Sequence, residues 1–417
     1  MTRRVVPLLV ALVLLLGSLA SAQEPIVLRL FSYVDVAMYE HIQEAINEFQ
    51  SLYPHIRVVH ETVSGSGAAL YPDALRTALL SGDPPDVFFM WGGTIAEPYM
   101  RAGQVRDLKE YYDKYNWHDR FIPWAVQATQ YQGVTYGAPV LVQGIAYWYR
   151  KDIFDRYGLT VPTSYAEMEQ LAARLSNQNI HALSLGGRFG WHTMRFTEYL
   201  LEHTAGPELH DALNRLEARW DDPAVVEAYN LLKKWVDNQW LVPNFLNVVP
   251  DDARWPVYRG QAAMDPEGPW FERTLISDEM QGPHWDFFMP PTDHEPLRYS
   301  AFIEQLMIPV ASRHPDEAAL FIDFITSPET LRKYPQIFNT PATVGVTPDP
   351  ELLPLSYKFQ VILETSMATY TITDQALEKE LMDTFFAIQD GIIAGRYTPE
   401  EGAREMQAAV ERWKAEH

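Results

Sequence analysis

The stretch Gly260-Gln-Ala-Ala-Met264-Asp-Pro-Glu-Gly268-Pro-Trp270 sets an aromatic residue on a short, stiff support. Gly268 permits backbone angles that other residues avoid, and Pro269 fixes φ at about −65°. These two residues predict that the indole of Trp270 is held rigidly and presented to open space. An indole presented in this way suits stacking against the apolar face of a sugar ring. The alternative is a tryptophan that closes a hydrophobic core.

The same stretch resembles the G-x-A-A-M … G-x-W block of the family 1 extracellular solute-binding proteins. Those are the sugar-capturing receptors of ABC importers, related to maltose-binding protein. A second stretch, Gly133-Val-Thr-Tyr-Gly-Ala-Pro139, is similar to the family's G-k-x-Y-G-x-P turn and strand. The resemblance covers nearly all of the chain after the first residues. Within the family it is closest to the group that takes up oligosaccharides such as raffinose-type galactosides or xylo-oligosaccharides.

The resemblance implies an α/β, two-lobed periplasmic-binding-protein fold and a binding protein rather than an enzyme. Each lobe would have a central, mostly parallel sheet flanked by helices, with the ligand cleft between the lobes and several hinge crossovers. It places lobe 1 at 23–141 and 299–340, and lobe 2 at 142–298 and 341–417. The length agrees, because the 395 residues that remain without 1–22 (417 − 22) exceed what one core usually organises.

The N-terminus has the pattern of a secretory signal peptide. Arg3 and Arg4 form a basic region, residues 8–16 are apolar, and Ala20-Ser-Ala22 supplies small residues before a cut at about Gln23. The chain contains no cysteine, so it has neither a disulfide framework nor a site for a lipid anchor. We therefore expect a periplasmic or extracellular protein with a cleaved signal peptide at 1–22 and no attached lipid.

The chain is strongly acidic, which bears on its partners. It has 55 acidic and 33 basic residues, a net charge of −22, and loss of the two arginines in 1–22 makes this −22 − 2 = −24. Such a surface repels phosphate backbones and disfavours nucleic acid as a partner. A neutral ligand fits most simply, and a cationic one stays open. The resemblance implies a carbohydrate ligand, ABC permease subunits in the membrane as partners, and a monomer.

The first hundred residues alternate between strand and helix patterns. Short β-rich runs are predicted at 26–31, 56–59 and 86–90, and helical spacing of apolar residues predicts helices at 36–52 and 68–80. Strands separated by helices of this length pair in parallel through right-handed crossovers. In such sheets ligands bind beyond the carboxyl ends of the strands.

This rule directs attention to three loops, at 32–35, 61–66 and 91–93. Trp91 directly follows an apolar strand and precedes Gly92, which leaves the backbone open to close approach by a ligand. The alternative is that Trp91 packs under the following helix. Glu61 would accept hydrogen bonds from two vicinal hydroxyl groups, or it is only a solvated charge at a strand end.

Four further residues are candidate ligand contacts. Gln143 lies in the crossover at 139–144 that the resemblance implies, either at the floor of the cleft or as a hinge residue bonded to backbone. Trp191 follows a glycine-rich turn and is a second stacking candidate. Glu304 lies in the region of the second crossover, facing the cleft or merely solvated, and Glu267 precedes the support of Trp270.

The sequence carries no recognisable catalytic or metal-binding motif. It lacks a G-x-S-x-G elbow, an H-E-x-x-H pair, a P-loop and an EF-hand loop, and its histidines do not have metal-ligand spacing. We therefore expect no catalytic residues, no cofactor and no metal. A secreted glycoside hydrolase, which needs two carboxylates about 5–10 Å apart, is the alternative from another class. A binder of a cationic or peptide ligand is the other.

Overall fold

A computed structural model of the chain describes residues 25–33, 38–63, 67–365 and 368–417. The signal peptide predicted at 1–22 lies outside these ranges, as do 34–35 and 64–66 of the predicted loops. No helix in the described ranges is long and apolar enough to cross a membrane.

The described residues form twelve strands and eighteen α-helices. The strands are β1 Ile26–Tyr33, β2 Ile56–Val63, β3 Val87–Trp91, β4 Gln130–Tyr131, β5 Val134–Thr135, β6 Gly137–Gly144, β7 Ala146–Arg150, β8 His181–Leu183, β9 Ala262–Glu267, β10 Trp285–Phe288, β11 Arg298–Met307 and β12 Ala368–Thr371. The helices are α1 Tyr39–Leu52, α2 Gly67–Leu79, α3 Glu97–Arg101, α4 Lys109–Tyr115, α5 Trp117–Arg120, α6 Pro123–Gln127, α7 Lys151–Tyr157, α8 Tyr165–Ser176, α9 Trp191–Asn214, α10 Pro223–Asp237, α11 Arg254–Tyr258, α12 Trp270–Ser277, α13 Pro315–Ile325, α14 Pro328–Lys333, α15 Pro354–Thr365, α16 Thr373–Ala376, α17 Lys379–Ile393 and α18 Pro399–Glu416.

The first sheet has six strands and contains the parallel unit predicted from the sequence. β1 pairs in parallel with both β2 and β3. β11 lies antiparallel to β3 on one side and to β6 on the other, and β12 extends the sheet in parallel with the start of β11. β2 continues to Val63, so Glu61 lies inside a strand and not in the loop predicted from 61. The polar end of β2 stays in the strand because β1 offers it a pairing partner as far as Tyr33.

The second sheet has four strands in the order β10-β7-β9-β8. Only β8 and β9 pair in parallel, whereas β7 runs antiparallel to both of its neighbours. Two of its three pairings are antiparallel, so the mostly parallel sheet that the resemblance implies for this lobe is wrong. The cause is β7, which enters directly from β6 of the first sheet and lies between β9 and β10 with the opposite direction.

Each sheet is covered by its own hydrophobic core, which gives the molecule two lobes. One core draws its residues from 28–141 and 306–346, and the other mainly from 145–288 and 372–410. Large aromatic side chains such as Trp117, Trp220 and Trp235 are fully buried in these cores. The two-lobed α/β fold implied by the resemblance is thus the fold of the chain.

The chain passes between the two sheets at several points. β6 belongs to the first sheet and β7 to the second, so the first passage occurs at Ile145, just after the predicted segment 139–144. The second passage lies between β10 and β11. A later one returns the chain to the first sheet at β12, within the range 341–417 that the resemblance places in lobe 2. The helices α17 and α18 that follow pack in the second core.

Candidate functional site

A cleft of about 670 Å³ lies between the two lobes and is lined by residues of both. Its size falls within the range of small-molecule binding pockets, roughly 300–1,000 Å³. Much of its wall is aromatic, which suits contact with an apolar ring face. The aromatic lining residues are Tyr33, Trp91, Tyr99, Phe189, Trp191, Trp270, Phe271, Phe302 and Phe386.

Trp270 lines this cleft as the first residue of α12, directly after Pro269. Its indole is half-buried, and Nε1 donates a hydrogen bond to Glu267 Oε2 at 2.8 Å. The ring also lies 6.0 Å from the ring of Phe302. The indole is therefore fixed by contacts on its edge and side as well as by the backbone before it.

Gly268 is needed for this position of the indole in a way that the sequence did not show. A Cβ atom at Gly268 would lie 2.1 Å from Cζ3 of Trp270, because the indole folds back over the glycine. The glycine therefore provides space for the ring. Its φ does not lie in the left-handed region, so backbone freedom is not what the site requires here.

Trp191, the second predicted stacking residue, also lines the cleft and starts α9. Arg195 follows one helical turn later on the same helix face. The guanidinium carbon of Arg195 lies 4.5 Å from the ring centroid of Trp191 and 5.1 Å from that of Trp270. The structure thus brings the two predicted indoles together around a cation that sequence reasoning missed.

Trp91 lines the cleft from the first lobe, at the carboxyl end of β3. It packs against the cores of both lobes and lies 5.8 Å from the ring of Tyr33. Gly92 is buried and is not a lining residue. Its N–H donates to the carbonyl of Ile303, and a Cβ atom at this position would lie 2.5 Å from Cγ1 of that isoleucine.

Two predicted carboxylates line the cleft, and the predicted amide lies beneath one of them. Glu267 and Glu304 are lining residues. Gln143 is fully buried in β6, where Nε2 donates to Glu304 Oε1 at 3.4 Å and Oε1 accepts from Thr340 Oγ1 at 3.2 Å. Gln143 therefore supports Glu304 from behind.

Glu61 lies away from the residues that line the cleft. Its Oε1 accepts hydrogen bonds from Arg29 Nε at 3.0 Å and Nη2 at 2.7 Å. This ion pair joins neighbouring strands β2 and β1, and the carboxylate is partly exposed. The structure thus places Glu61 in a surface ion pair at the sheet.

The charges around the cleft nearly cancel, although the chain as a whole is strongly acidic. The basic lining residues are Arg76, Arg195, Arg254, Arg273 and Lys379. The acidic ones are Asp73, Asp251, Glu267, Glu304, Asp374 and Asp383. Five positive and six negative groups give the lining a formal charge of 5 − 6 = −1, against −22 for the chain. The cleft lining therefore does not share the large excess of negative charge that the chain has as a whole.

A cluster of three buried polar side chains lies behind Trp270. His192, Asp265 and Glu267 each offer one atom within 4.8 Å of the others, a spacing that a metal ion would accept. Burial lowers the pKa of His192 to about 3, with the charge of Arg195 acting in the same direction. Burial raises the pKa of Asp265 to about 7, against the effect of Arg195.

The hydrogen bonds of this group argue against a metal ion. His192 Nδ1 accepts the N–H of Gly186 at 3.0 Å, so the proton of the neutral ring is on Nε2, which lies 3.2 Å from Asp265 Oδ1. A histidine that binds metal through one ring nitrogen carries its proton on the other. That arrangement would direct an Nδ1 proton at the N–H of Gly186.

A family model described as bacterial extracellular solute-binding protein matches residues 36–331. The chain belongs to this family. This match confirms the family that the sequence motifs indicate. The cleft of this solute-binding protein lies between its two lobes.

Individual relatives of the solute-binding protein are distant in sequence. An uncharacterised ABC transporter extracellular-binding protein of Pyrococcus horikoshii is 24% identical over 291 residues, which are 69% of this chain and 64% of that protein. The chain therefore matches less than two thirds of that relative's length. A multiple sugar-binding protein of Streptococcus mutans is 23% identical over 324 residues, 74% of this chain and 73% of the relative.

The solved structure of a chitin oligosaccharide binding protein superimposes on nearly the whole chain. The TM-score is 0.83 at 20% identity, with 94% of this chain and 99% of the other covered. A likeness of this kind shows that the two share a fold. The shared fold does not identify the ligand of this solute-binding protein, which depends on the residues of its own cleft.

Sequence reasoning missed several lining residues of the solute-binding protein. Met382 of α17 lines the cleft. Phe386, one turn further along α17, lines it as well. A search of the same helix face at i+4 would have found Phe386, just as it would have found Arg195 from Trp191.

Proposed function

We propose that this solute-binding protein captures a neutral sugar, an oligosaccharide, in the cleft between its lobes and delivers it to an ABC-type permease when the lobes close. The observation that carries the proposal is the aromatic cleft with nearly balanced charge. Aromatic faces supply apolar contact, and polar side chains such as Glu304 satisfy hydroxyl groups that lose water. The names of the Streptococcus mutans relative and of the chitin oligosaccharide binding protein support a sugar as the ligand.

A polyamine or other cationic ligand would need several carboxylates free to surround it. In this cleft Glu267 already accepts hydrogen bonds from Arg195 and Trp270, and five basic residues share the lining. The arrangement favours a neutral ligand over a cation.

The remaining parts of the proposal concern organisation and partners. We propose that the lobes which close are 23–141 with 299–340, and 142–298 with 341–417 apart from β12, which pairs in the first sheet. We also propose that the protein acts as a monomer without a nucleic acid partner. It would carry out no reaction on the sugar, and separate membrane permease subunits would import it. The predicted contacts Trp270, Trp91, Trp191, Glu304 and Glu267 would meet the ligand.

Binding without turnover is the first expected result. With ligand-stripped protein, at least one of raffinose, xylotriose and chitotriose should raise Tm, because a ligand of the native state alone stabilises it. Glucose serves as the single-ring control. The sugars should be recovered unchanged after incubation. A steady release of reducing ends by pure protein, abolished by one carboxylate substitution, would establish a glycoside hydrolase instead, and no Tm shift with any sugar would contradict the proposal.

Export with a cleaved signal peptide is the second expected result. Arg3, Arg4 and the Ala20-Ser-Ala22 pattern predict a mature N-terminus within about two residues of Gln23. Because the chain has no cysteine, no acyl chain should be attached. The intact mass of the exported protein checks both points. A mass that retains 1–22, or one that includes lipid, would overturn this part of the proposal.

A further inference from the structure

Arg195 joins the two indoles of the second lobe. Its guanidinium lies over the rings of both Trp191 and Trp270, within the distance at which a cation is attracted to an aromatic face. Only 7% of its side chain is exposed. A charged group so well covered is held in place by its partners and has little freedom to turn towards solvent.

The other contacts of Arg195 tie this cation to the same short segment that carries Trp270. Nη1 donates to the carbonyl of Pro266 at 2.7 Å and to Glu267 Oε2 at 2.8 Å. The same carboxylate oxygen accepts the indole N–H of Trp270. One oxygen atom of Glu267 therefore fixes both the guanidinium and the edge of the indole.

We propose that Arg195 is a positioning residue, which sets the separation and orientation of the Trp191 and Trp270 rings before a ligand arrives. This inference rests on the proposed sugar-binding function. Rings that are already fixed lose little freedom on binding, so the affinity that stacking supplies is not offset by ordering of the site. The charge of Arg195 is compensated by Glu267, so the cation serves the geometry of the rings rather than the capture of an anion.

The planar shape of arginine is essential to this role. Lysine retains the positive charge but has no plane to lie over an indole, and its ammonium group cannot contact two rings and two acceptors together. Arg195→Lys therefore separates a requirement for charge from a requirement for shape. Arg188→Lys is a matched control, because Arg188 is exposed and, among the described residues, its guanidinium lies near a single aromatic ring, that of Phe189, at 5.9 Å.

The experiment first measures the ordering of the two indole rings in the ligand-free protein. In ligand-free protein, Arg195→Lys should reduce the near-ultraviolet circular dichroism signal that Trp191→Phe and Trp270→Phe each reduce. Its affinity for whichever of raffinose, xylotriose and chitotriose binds the wild type should fall about tenfold. Arg188→Lys should change neither quantity. If Arg195→Lys does not fold, Glu267→Gln in a Trp270→Phe background should reduce the remaining signal of Trp191, because Glu267 acts on Trp191 through the guanidinium of Arg195.

The outcomes separate this inference from the proposed function. If a sugar binds and Arg195→Lys matches Arg188→Lys in spectrum and affinity, Arg195 does not position the rings, although the proposed function stands. If no sugar binds the wild type while the spectrum of ligand-free Arg195→Lys changes as expected, the ordering of the rings is supported and the proposed function fails. A spectral change without a loss of affinity would also overturn the positioning role.

Discussion

Gly93→Ala should lower the free energy of unfolding by about 2–5 kcal/mol, the combined cost of a left-handed alanine and of overpacking. Gly93 has φ +66°, and a Cβ atom there would lie 2.2 Å from the backbone carbonyl oxygen of Gln375 in α16. A flexible side chain could move out of the way at small cost, whereas a backbone carbonyl cannot. The measurement is chemical denaturation of the ligand-free protein.

The segment that Gly93 contacts has little room to retreat. Glu198, fully buried on α9, accepts the backbone N–H of Thr373 at the start of α16. On the other side, Thr94 Oγ1 donates to the carbonyl of Leu377 at 2.7 Å. α16 is thus held between the end of β3 and the core of the second lobe, so the added methyl group forces these parts away from one another.

Gly103→Ala is the matched control for this prediction. Gly103 has nearly the same backbone angle, φ +65°, but a Cβ atom there would meet nothing within 4 Å. It isolates the backbone strain, which should cost about 1–2 kcal/mol. The difference between the two variants measures the collision with Gln375. Equal destabilisation in both would show that α16 does not pack on Gly93 in the ligand-free protein.

The order of strands and helices in the first hundred residues could be predicted from sequence because local periodicity determines it. The strands predicted at 26–31, 56–59 and 86–90 are β1, β2 and β3, with ends that differ by a few residues. The length of β2 was underestimated because His60, Glu61 and Thr62, which precede its final Val63, are polar and give no alternation signal. Their strand conformation comes from pairing with β1, which is a tertiary contact.

The candidate site could be predicted at positions where the residue type and its sequence neighbours indicate a role. Trp91, Trp191 and Trp270 were singled out as aromatics next to glycine or at strand ends, and all three line the cleft. Their role in ligand binding stays a prediction. Gly92 and Gln143 illustrate the limit, because their burial under Ile303 and Glu304 depends on strands far away in sequence.

Arg195 could not be singled out, because the residues next to it in the sequence do not indicate which side chains it contacts. Its ion-pair partner, Glu267, is 72 residues away, and arginines on helices are usually solvated. Only the fold places the start of α9 beside β9 and α12. A distance of one helical turn from Trp191 was the single signal available in the sequence.

Trp270→Ala should weaken sugar binding about ten- to a hundredfold, which corresponds to a loss of roughly 1.5–3 kcal/mol from part of an indole. The ligand would lose an apolar face, and Arg195 would lose one of its two aromatic contacts. The affinity is measured by titration calorimetry with whichever of raffinose, xylotriose and chitotriose binds the wild type. The affinity of Trp270→Phe should lie between those of the wild type and Trp270→Ala, because phenylalanine retains a ring but lacks the N–H that donates to Glu267.

The stability of the ligand-free variants decides whether this loss belongs to the site or to the core. A fully buried tryptophan costs about 3–5 kcal/mol when it is truncated, and Trp270 should cost less because it is half-buried. Trp255→Ala is the control, since Trp255 is exposed and lies outside the cleft lining, so neither affinity nor Tm should change much. A large fall in ligand-free Tm, with affinity retained by the folded fraction, would assign Trp270 to the core. The cleft would then depend on Trp91 and Trp191 for its stacking faces, and the Arg195→Lys substitution would act through Trp191 alone.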